Sequence, residues 1–268
     1  MRYLFPLIIF LTGCSSLFYF PMREKAYDPA EFNLKYEDIS FESGKEAIHG
    51  WWFPAETKKA KGTFIFFHGN AENLSTHFLN LRWLPQKGYN FLIFDYPGYG
   101  RSTGNPTRQS TVDAGKSAIR WVWLHKDKNP IIYGQSLGGI IAMRSFETTR
   151  EEGSIKALIL DSTFINYHKI AQKKLRYSWL TWIFQPLVCV LVSNAEAPDK
   201  ISQYSPVPVL VMHGQKDQVV EPEFGDELFN KLSEPKEFWS IPDSDHGQNL
   251  FIENGKYQDK LLKYIESI

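Results

Sequence analysis

The chain has 268 residues, of which 43% are hydrophobic and 22% are charged. This length and apolar content allow a large buried core and favour one domain over two. Thirty basic residues balance thirty acidic residues, so there is no net field to attract nucleic acid, and we expect no nucleic-acid partner. Cys14 and Cys189 form no repeated spacing, which predicts neither a disulfide nor a structural zinc site.

The first 13 residues have the layout of a secretory signal, in which Arg2 precedes an apolar stretch at 3–11 and small residues follow. This stretch is too short to span a bilayer comfortably. Residues 11–14 read Leu-Thr-Gly-Cys, which resembles the lipobox of bacterial lipoproteins. The resemblance implies a signal peptide over residues 1–13, lipidation of Cys14 and a tether over residues 14–35.

The residue after Cys14 is Ser15 rather than an aspartate, and the same resemblance then implies the outer membrane of the bacterial envelope. Several acyl chains would hold the protein durably on a membrane, since each buried methylene contributes about 0.8 kcal/mol. The alternative is a signal peptide or uncleaved anchor that contains a cysteine by coincidence.

From residue 36 onward, short β-rich segments alternate with longer amphipathic segments, which predicts a mostly parallel sheet with crossover helices over residues 36–268. The first two strands are expected to form an antiparallel hairpin. The eight predicted strands are Tyr36–Glu42, Ala47–Phe53, Thr63–Phe67, Phe91–Asp95, Ile131–Tyr133, Ala157–Leu160, Val207–Met212 and Glu237–Ile241. The predicted helices are Leu74–Gln86, Arg108–His125, Leu137–Thr149, Glu223–Leu232 and Lys256–Ile265.

Polar turns follow two of the early strands. His68, Gly69 and Asn70 come directly after the third strand, and a glycine-rich turn from Asp95 to Ser102 follows the fourth. Glycine suits sharp turns and lets backbones approach closely. We expect His68 to brace its loop rather than to act as a base, and Asp95 and Ser102 to be structural.

The fifth strand leads into a Gly-x-Ser-x-Gly motif centred on Ser136, and an apolar helix follows at once from Leu137. This arrangement is the nucleophile elbow. Its tight turn projects the serine hydroxyl from the carboxyl edge of the sheet, while the helix behind it directs unpaired amides and the positive end of its dipole towards an oxyanion. Ser136 is therefore the predicted nucleophile.

Candidate acid and base residues follow the last two strands. Asp217 stands just beyond the seventh strand, and His246 lies in the loop after the eighth. Asp161, which follows the sixth strand, is the rival acid. The predicted order along the chain is Ser136, Asp217, His246, which differs from the order in the chymotrypsin and subtilisin types. We expect the remaining histidines to brace a loop, as at His213, or to lie on surfaces or helices, as at His49, His77, His125 and His168.

Together, these motifs resemble those of the serine hydrolases of the α/β-hydrolase superfamily, in particular a group that includes eukaryotic membrane-tethered depalmitoylases and lysophospholipid lipases. The resemblance extends from Tyr36 to the end of the chain, except for one insertion. It implies an α/β-hydrolase fold with an eight-stranded sheet, an oxyanion hole formed by the amides of Asn70 and Leu137, and no metal or organic cofactor.

The insertion lies after the sixth strand, where this superfamily places a lid, and we expect a helical lid at about residues 165–205. Its apolar run from Trp179 to Val192 is interrupted by Pro186, which should kink or divide any helix there. Two interpretations remain open for this run. It packs as core against the main domain, or it forms an acyl-binding or membrane-facing lid.

The expected function is hydrolysis of carboxylic esters or thioesters, of acyl lipids or small acyl esters, through an acyl-enzyme on Ser136. One alternative is a serine peptidase of the prolyl-oligopeptidase type, which shares these motifs but carries an extra propeller domain. Another is a noncatalytic envelope binding protein on a hydrolase scaffold. Haloalkane dehalogenases and epoxide hydrolases require a carboxylate where Ser136 stands, so those classes are excluded.

Overall fold

Eight strands form a single sheet in the order β1-β2-β4-β3-β5-β6-β7-β8. The structure is a computed structural model that describes residues 18–176, Val188 and residues 192–268. Strand β2 runs antiparallel to both β1 and β4, and every other neighbouring pair is parallel. The predicted hairpin and the predicted mostly parallel sheet are therefore confirmed. The strands are β1 Glu37–Ser43, β2 Glu46–Phe53, β3 Gly62–Phe67, β4 Tyr89–Phe94, β5 Ile131–Gln135, β6 Ala157–Asp161, β7 Val209–Gly214 and β8 Lys236–Ile241.

Helices cover both faces of the sheet, and a hydrophobic core lies under each layer. Because side chains alternate along a strand, a strand buried on both faces contributes to both cores. In β4, Leu92 and Phe94 pack on one face, whereas Phe91 and Ile93 pack on the other, and all four are fully buried. The helices are α1 Leu74–His77, α2 Arg108–His125, α3 Leu137–Thr149, α4 Tyr167–Arg176, α5 Pro222–Lys231 and α6 Lys256–Ser267.

The helix predicted over Leu74–Gln86 is wrong. Only the single turn α1 is α-helical, and successive 3-10 turns follow it. Phe78, Leu81 and Leu84 are fully buried at intervals of three residues, and each accepts a hydrogen bond from the amide three positions further on. A spacing of three fits the 3-10 helix better than the 3.6-residue period of an α-helix. The prediction failed because the spacing of the apolar residues was interpreted as that of an α-helix.

Helices α2 and α3 have the predicted bounds. The start of α2 is set by a reciprocal cap, in which the hydroxyl of Thr107 accepts from the Ser110 amide at 3.0 Å and the hydroxyl of Ser110 accepts from the Thr107 amide at 2.9 Å. These bonds satisfy amides that have no partner within the helix. This signal is local, so it can be recognised in the sequence.

Two predicted features lie largely outside the described residues. The signal peptide at 1–13 and both cysteines fall there, as does most of the apolar run at 179–192. Within the predicted lid, α4 occupies the beginning, and Val188 and Val192 are both buried in the core. Among the described helices, none is long and apolar enough to cross a membrane. Both interpretations of the lid therefore stay open.

Candidate active site

Ser136 joins β5 to α3 in a strained conformation, with φ 53° and ψ −122°. A positive φ costs a residue with a side chain about 1–3 kcal/mol, so the surroundings must hold it. The amide of Ser136 donates to the carbonyl of Asp161 at 2.9 Å, and the hydroxyl of Thr163 donates to the carbonyl of Ser136 at 2.6 Å. The end of β6 thus fixes the backbone on both sides of the Ser136 hydroxyl.

The first turn of α3 lies directly against the end of β3. A Cβ atom at Gly138 would stand 2.0 Å from the carbonyl oxygen of Phe67 and 2.4 Å from that of His68. Both obstacles are backbone atoms, which cannot move aside as a side chain would. Glycine at position 138 therefore allows the elbow to approach the turn after β3.

The structure brings Ser136, His246 and Asp217 together in one hydrogen-bonded chain. Nε2 of His246 lies 3.0 Å from Oγ of Ser136, and Nδ1 lies 2.7 Å from Oδ2 of Asp217. The Asp217 side chain is fully buried, whereas the His246 side chain keeps 20% exposure. A hydroxyl, an imidazole and a carboxylate in this order can transfer the hydroxyl proton to Nε2 while the carboxylate holds the ring.

The carboxylate of Asp217 is held as an anion. Burial alone would raise the pKa of Asp217, but hydrogen bonds from His213, His246 and the amide of Val220 outweigh burial and hold the pKa well below its usual range. Oδ1 accepts from the amides of Val219 and Val220 at 2.9 and 2.8 Å. Asp217 therefore stays charged beside the imidazole.

The turn after β3 lies beside the elbow. A Cβ at Gly69 would be 3.6 Å from Cβ of Ser136. Within the described part of the chain, the main-chain amides of Asn70 and Leu137 donate no hydrogen bond. Two free amides from two elements next to a serine hydroxyl form a suitable site for the oxyanion of a tetrahedral intermediate. This is the place predicted for the oxyanion hole.

His68 is fully buried behind this turn. Burial and the neighbouring imidazole of His77 lower the pKa of His68 well below its usual range, so the ring is neutral. Its Nδ1 lies 2.8 Å from the carbonyl oxygen of Gly69, and its ring stacks on that of His77 at a centroid distance of 4.9 Å. These contacts fit the loop brace expected from the sequence.

Asp161, the rival acid, has other partners. Its carboxylate accepts from the hydroxyls of Tyr133 and Ser162 and from the side-chain amide of Asn249. Asn249 also donates to Oγ of Ser162 at 3.1 Å. The His246 loop is thereby fastened to the end of β6, a role of Asn249 that was not predicted from the sequence. Its position three residues after His246 was the only signal.

Gln135, the residue before Ser136, was also missed. Its Oε1 accepts from the side chain of Asn80 at 2.8 Å, and its Nε2 donates to the carbonyl of Gly247 at 3.3 Å. Gln135 thus links the elbow strand to the histidine loop.

Among the described residues, no group of three or more histidine, cysteine or acidic side chains is placed to hold a metal ion.

The sheet order, the elbow and the paired carboxylate, imidazole and hydroxyl define an α/β-hydrolase. A family model described as Hydrolase_4 (serine aminopeptidase, S33) matches residues 58–207, and the chain belongs to this family. It is 32% identical over 259 residues to the uncharacterized protein YfhR of Escherichia coli O157:H7, covering 94% of this chain and 87% of YfhR. It is 28% identical over 243 residues to the protein bem46 of Schizosaccharomyces pombe, covering 88% and 79% of the two chains.

Solved structures share the fold at low sequence identity. An esterase of Pyrococcus furiosus superposes with a TM-score of 0.73 at 20% identity, covering 93% of this chain and 98% of the esterase. An esterase of Exiguobacterium antarcticum superposes with a TM-score of 0.64 at 18% identity, covering 86% and 100% of the two chains. The prediction of an α/β-hydrolase is confirmed, and the protein is a hydrolase of that fold.

Proposed function

We propose that the protein is a serine esterase that cleaves carboxylic esters or thioesters of acyl groups through an acyl-enzyme on Ser136. The observation that carries this proposal is the continuous hydrogen-bonded chain from the Ser136 hydroxyl through both nitrogens of His246 to Asp217. The two free amides beside it, at Asn70 and Leu137, supply the second requirement of acyl transfer. Two of the structural neighbours are described as esterases, which supports the same reaction class.

In the acylation step, Nε2 of His246 accepts the Ser136 proton as the hydroxyl oxygen attacks the carbonyl carbon of the substrate. Negative charge develops on the carbonyl oxygen, towards which the amides of Asn70 and Leu137 donate. The imidazolium then gives its proton to the leaving alcohol or thiol, and an acyl-enzyme remains. Asp217 keeps Nδ1 protonated and stabilises the imidazolium throughout.

In the deacylation step, water replaces the leaving group, and His246 acts again as base and then as acid. Water attacks the acyl carbon, its proton passes to Nε2, and the Ser136 oxygen leaves with that proton. The 20% exposure of the His246 side chain is consistent with access of water to Nε2. The reaction as proposed requires no metal ion or organic cofactor, since every proton moves between groups of this chain, substrate and water.

For the substrate, we propose an acyl lipid or a small acyl ester. The apolar run at 179–192 in the sequence supports this, because it falls where the superfamily inserts a lid and an apolar lid can take up an acyl chain. The motif resemblance to membrane-tethered depalmitoylases and lysophospholipid lipases points in the same direction. Lipid attachment at Cys14 would hold the enzyme at the envelope near such substrates, and loss of palmitate labelling in Cys14→Ser would test that anchor.

A serine peptidase is the second candidate, because the matching family model is described as a serine aminopeptidase. The same serine, histidine and aspartate can cleave an amide. The difference lies in the leaving group, because an amine must be protonated as it departs, whereas an alcohol leaves more easily. Rates on an ester and an amide of one and the same acyl group therefore separate the two candidates.

The test begins with a fluorophosphonate probe, which we expect to label wild-type protein and to leave Ser136→Ala unlabelled. On p-nitrophenyl esters with acyl chains from acetyl to palmitoyl, Ser136→Ala should lose at least about 10⁴-fold in kcat/KM. A folded wild type that the probe does not label would support the noncatalytic scaffold instead.

A matched aminoacyl p-nitroanilide and p-nitrophenyl ester complete the test. We expect the ester to be cleaved with a kcat/KM at least about 10³-fold above that of the anilide, which is about 4 kcal/mol in transition-state free energy. Comparable values for the two substrates would favour the peptidase.

A further inference from the structure

The segment Phe20–Ala26, named here the N-terminal strap, crosses the turn that carries the amide of Asn70. The amide of Phe20 donates to Oδ1 of Asn70 at 3.0 Å. Two residues further on, the amide of Met22 donates to the carbonyl of Glu72 at 3.0 Å. The strap therefore contacts the turn at Phe20 and again at Met22.

The remaining bonds come from side chains of the turn. Nδ2 of Asn73 donates to the carbonyls of Met22 at 3.1 Å and Glu24 at 2.7 Å. Oγ of Ser75 accepts from the amide of Ala26 at 2.8 Å. Asn73 and Ser75 are almost fully buried, so solvent cannot replace these partners without opening the turn.

The turn itself is strained and needs such support. Ala71 and Glu72 both adopt left-handed conformations, with φ of 59° and 56°. This conformation is unfavourable for a residue with a Cβ and persists only where the surroundings hold it. The hydrogen bond from the Met22 amide to the Glu72 carbonyl holds one of these two strained residues directly.

The side chain of Asn70 adds a second constraint. Its Oδ1 accepts three hydrogen bonds, from the amides of Phe20 at 3.0 Å and Ala71 at 2.7 Å and from the hydroxyl of Tyr99 at 3.1 Å. These donors fix the orientation of the Asn70 side chain, and the amide oxygen that accepts them carries no charge. A carboxylate could accept the same bonds but would place negative charge beside a developing oxyanion.

The strap is also fixed on its other side. The amide of Gly100 donates to the carbonyl of Met22 at 2.8 Å, and Nη1 of Arg23 donates to the carbonyl of Ser102 at 2.7 Å. Both partners belong to the turn after β4. The strap thus lies between the turn after β4 and the strained turn at 70–75. A shift of the turn after β4 would therefore displace the strained turn through the strap.

We propose that the N-terminal strap is a positioning element of the oxyanion hole, which holds the turn at 70–75 in the conformation that directs the Asn70 amide at the substrate. This inference rests on the proposed esterase function. It assigns a role in rate to a segment far from Ser136 in sequence. Loss of the strap contacts should lower kcat and leave KM nearly unchanged, because the hole acts on the transition state.

The main variant is Asn73→Asp in the full-length protein. Aspartate keeps the oxygen that caps α1 through the Ser75 amide and loses both donors to the strap. We expect kcat to fall about tenfold per active site, a fraction of the roughly 10²- to 10³-fold loss of a whole oxyanion donor. Active sites are counted by titration with fluorophosphonate, so misfolded protein does not enter the rate.

Affinity for a trifluoromethyl ketone gives the readout that a merely structural role would not change. Its hemiketal with Ser136 places an oxyanion in the hole, so its inhibition constant should rise by the same factor as kcat falls. Lys25→Ala is the matched control, because its ammonium lies in the strap but pairs with Asp28 at 2.7 Å rather than with the turn. We expect this control to keep the kcat and the inhibition constant of the wild type.

Ser75→Ala provides a second variant in case the buried carboxylate of Asn73→Asp prevents folding. It removes the acceptor of the Ala26 amide, and we expect a roughly two- to fivefold fall in kcat together with weaker ketone binding. An active wild type whose kcat and ketone affinity survive in Ser75→Ala and in any folded Asn73→Asp overturns the strap proposal alone. A wild type that hydrolyses no ester contradicts the proposed esterase function instead.

Discussion

Individual atoms decide the tautomer of His246. Both carboxylate oxygens of Asp217 are occupied, Oδ1 by two main-chain amides and Oδ2 by His246 at 2.7 Å, with His213 at 3.4 Å. In the neutral ring of His246, the carboxylate therefore keeps the proton on Nδ1 and leaves Nε2 as the acceptor that faces Ser136. At this scale, the tautomer of one imidazole depends on one carboxylate oxygen.

Replacement of Asp217 by asparagine tests this dependence. An asparagine at this position would keep an acceptor for the Val219 and Val220 amides but present an N–H group to Nδ1 of His246, which reverses the tautomer. We expect kcat to fall by about 10⁴-fold with the chain still folded, measured on an ester substrate and checked by thermal unfolding.

Asp161→Asn is the comparison variant, because the carboxylate of Asp161 bonds to side chains of Tyr133, Ser162 and Asn249. Its one contact with the nucleophile is through its main-chain carbonyl, which the substitution keeps. The loss in activity should be at least about 100-fold smaller than the loss in Asp217→Asn. Equal losses in the two variants would mean that the acid has been wrongly assigned.

Strands and helices meet at the site with little free space. The elbow helix α3 contacts the ends of β3 and β5, and Gly138 stands where α3 touches the backbone of Phe67 and His68. Here the packing of one element on another places the Leu137 amide and the Asn70 turn side by side. The packing of α3 on β3 thus determines the separation of the two amides that we propose as oxyanion donors.

Gly138→Ala should be strongly destabilising. Its Cβ would fall 2.0 Å from a backbone oxygen, so α3 must move away from β3, and we expect the free energy of unfolding to fall by about 3 kcal/mol. Chemical denaturation measures this loss, and ester hydrolysis should fall with it.

Gly62→Ala is the matched control for Gly138→Ala. A Cβ there would meet only side-chain atoms at 3.6 Å or more, so the change in unfolding free energy should stay within about 1 kcal/mol. Similar losses in the two variants would contradict the close approach of α3 and β3.

A charge cluster that runs from the buried His49 and Asp95 to the exposed Asp38 and Arg101 connects distant parts of the molecule. His49 was expected on a surface or a helix, but it lies buried in β2, between Asp38 of β1 and Asp95, which follows β4. Nη1 of Arg101 lies 3.4 Å from Nε2 of His49 and also pairs with Asp38. Asp95 also accepts from the amide of Leu74 at 2.8 Å, which links the hairpin to the start of α1.

This cluster makes the stability of the whole molecule depend on pH. Burial alone would lower the pKa of His49, but hydrogen bonds and attraction from Asp95 and Asp38 outweigh it, and the pKa is raised above its ordinary value of 6.5. The folded state therefore binds the proton more tightly than the unfolded state. The stability from His49 is full below about pH 6.5 and is lost as pH rises through the higher folded-state pKa.

His49→Gln should remove that part of the pH dependence. Urea unfolding at about pH 6 and about pH 9 gives the change for each protein, and the wild type should lose more stability over this interval than the variant. Other titrating groups cancel in the comparison. Identical changes in the two proteins would show that His49 contributes nothing to the linkage.

Local patterns in the sequence predicted all eight strands and four of the five expected helices, α2, α3, α5 and α6, to within two residues at each end. The eight strands were found because buried apolar runs end in polar turns, and α3 was found because a glycine-flanked serine marks its start. The segment after Leu74 failed because a few buried residues do not distinguish a 3-10 period from an α-helical one.

The sequence by itself determined which serine, aspartate and histidine meet and in what order along the chain, since a serine in a Gly-x-Ser-x-Gly turn, an aspartate and a histidine each follow a strand. Only the tertiary structure decided which other residues support them. Asn249 meets Asp161, and Phe20 meets Asn70, across intervals of 88 and 50 residues. Such partners are chosen by the way the chain folds back on itself, and no periodicity or short motif records that choice.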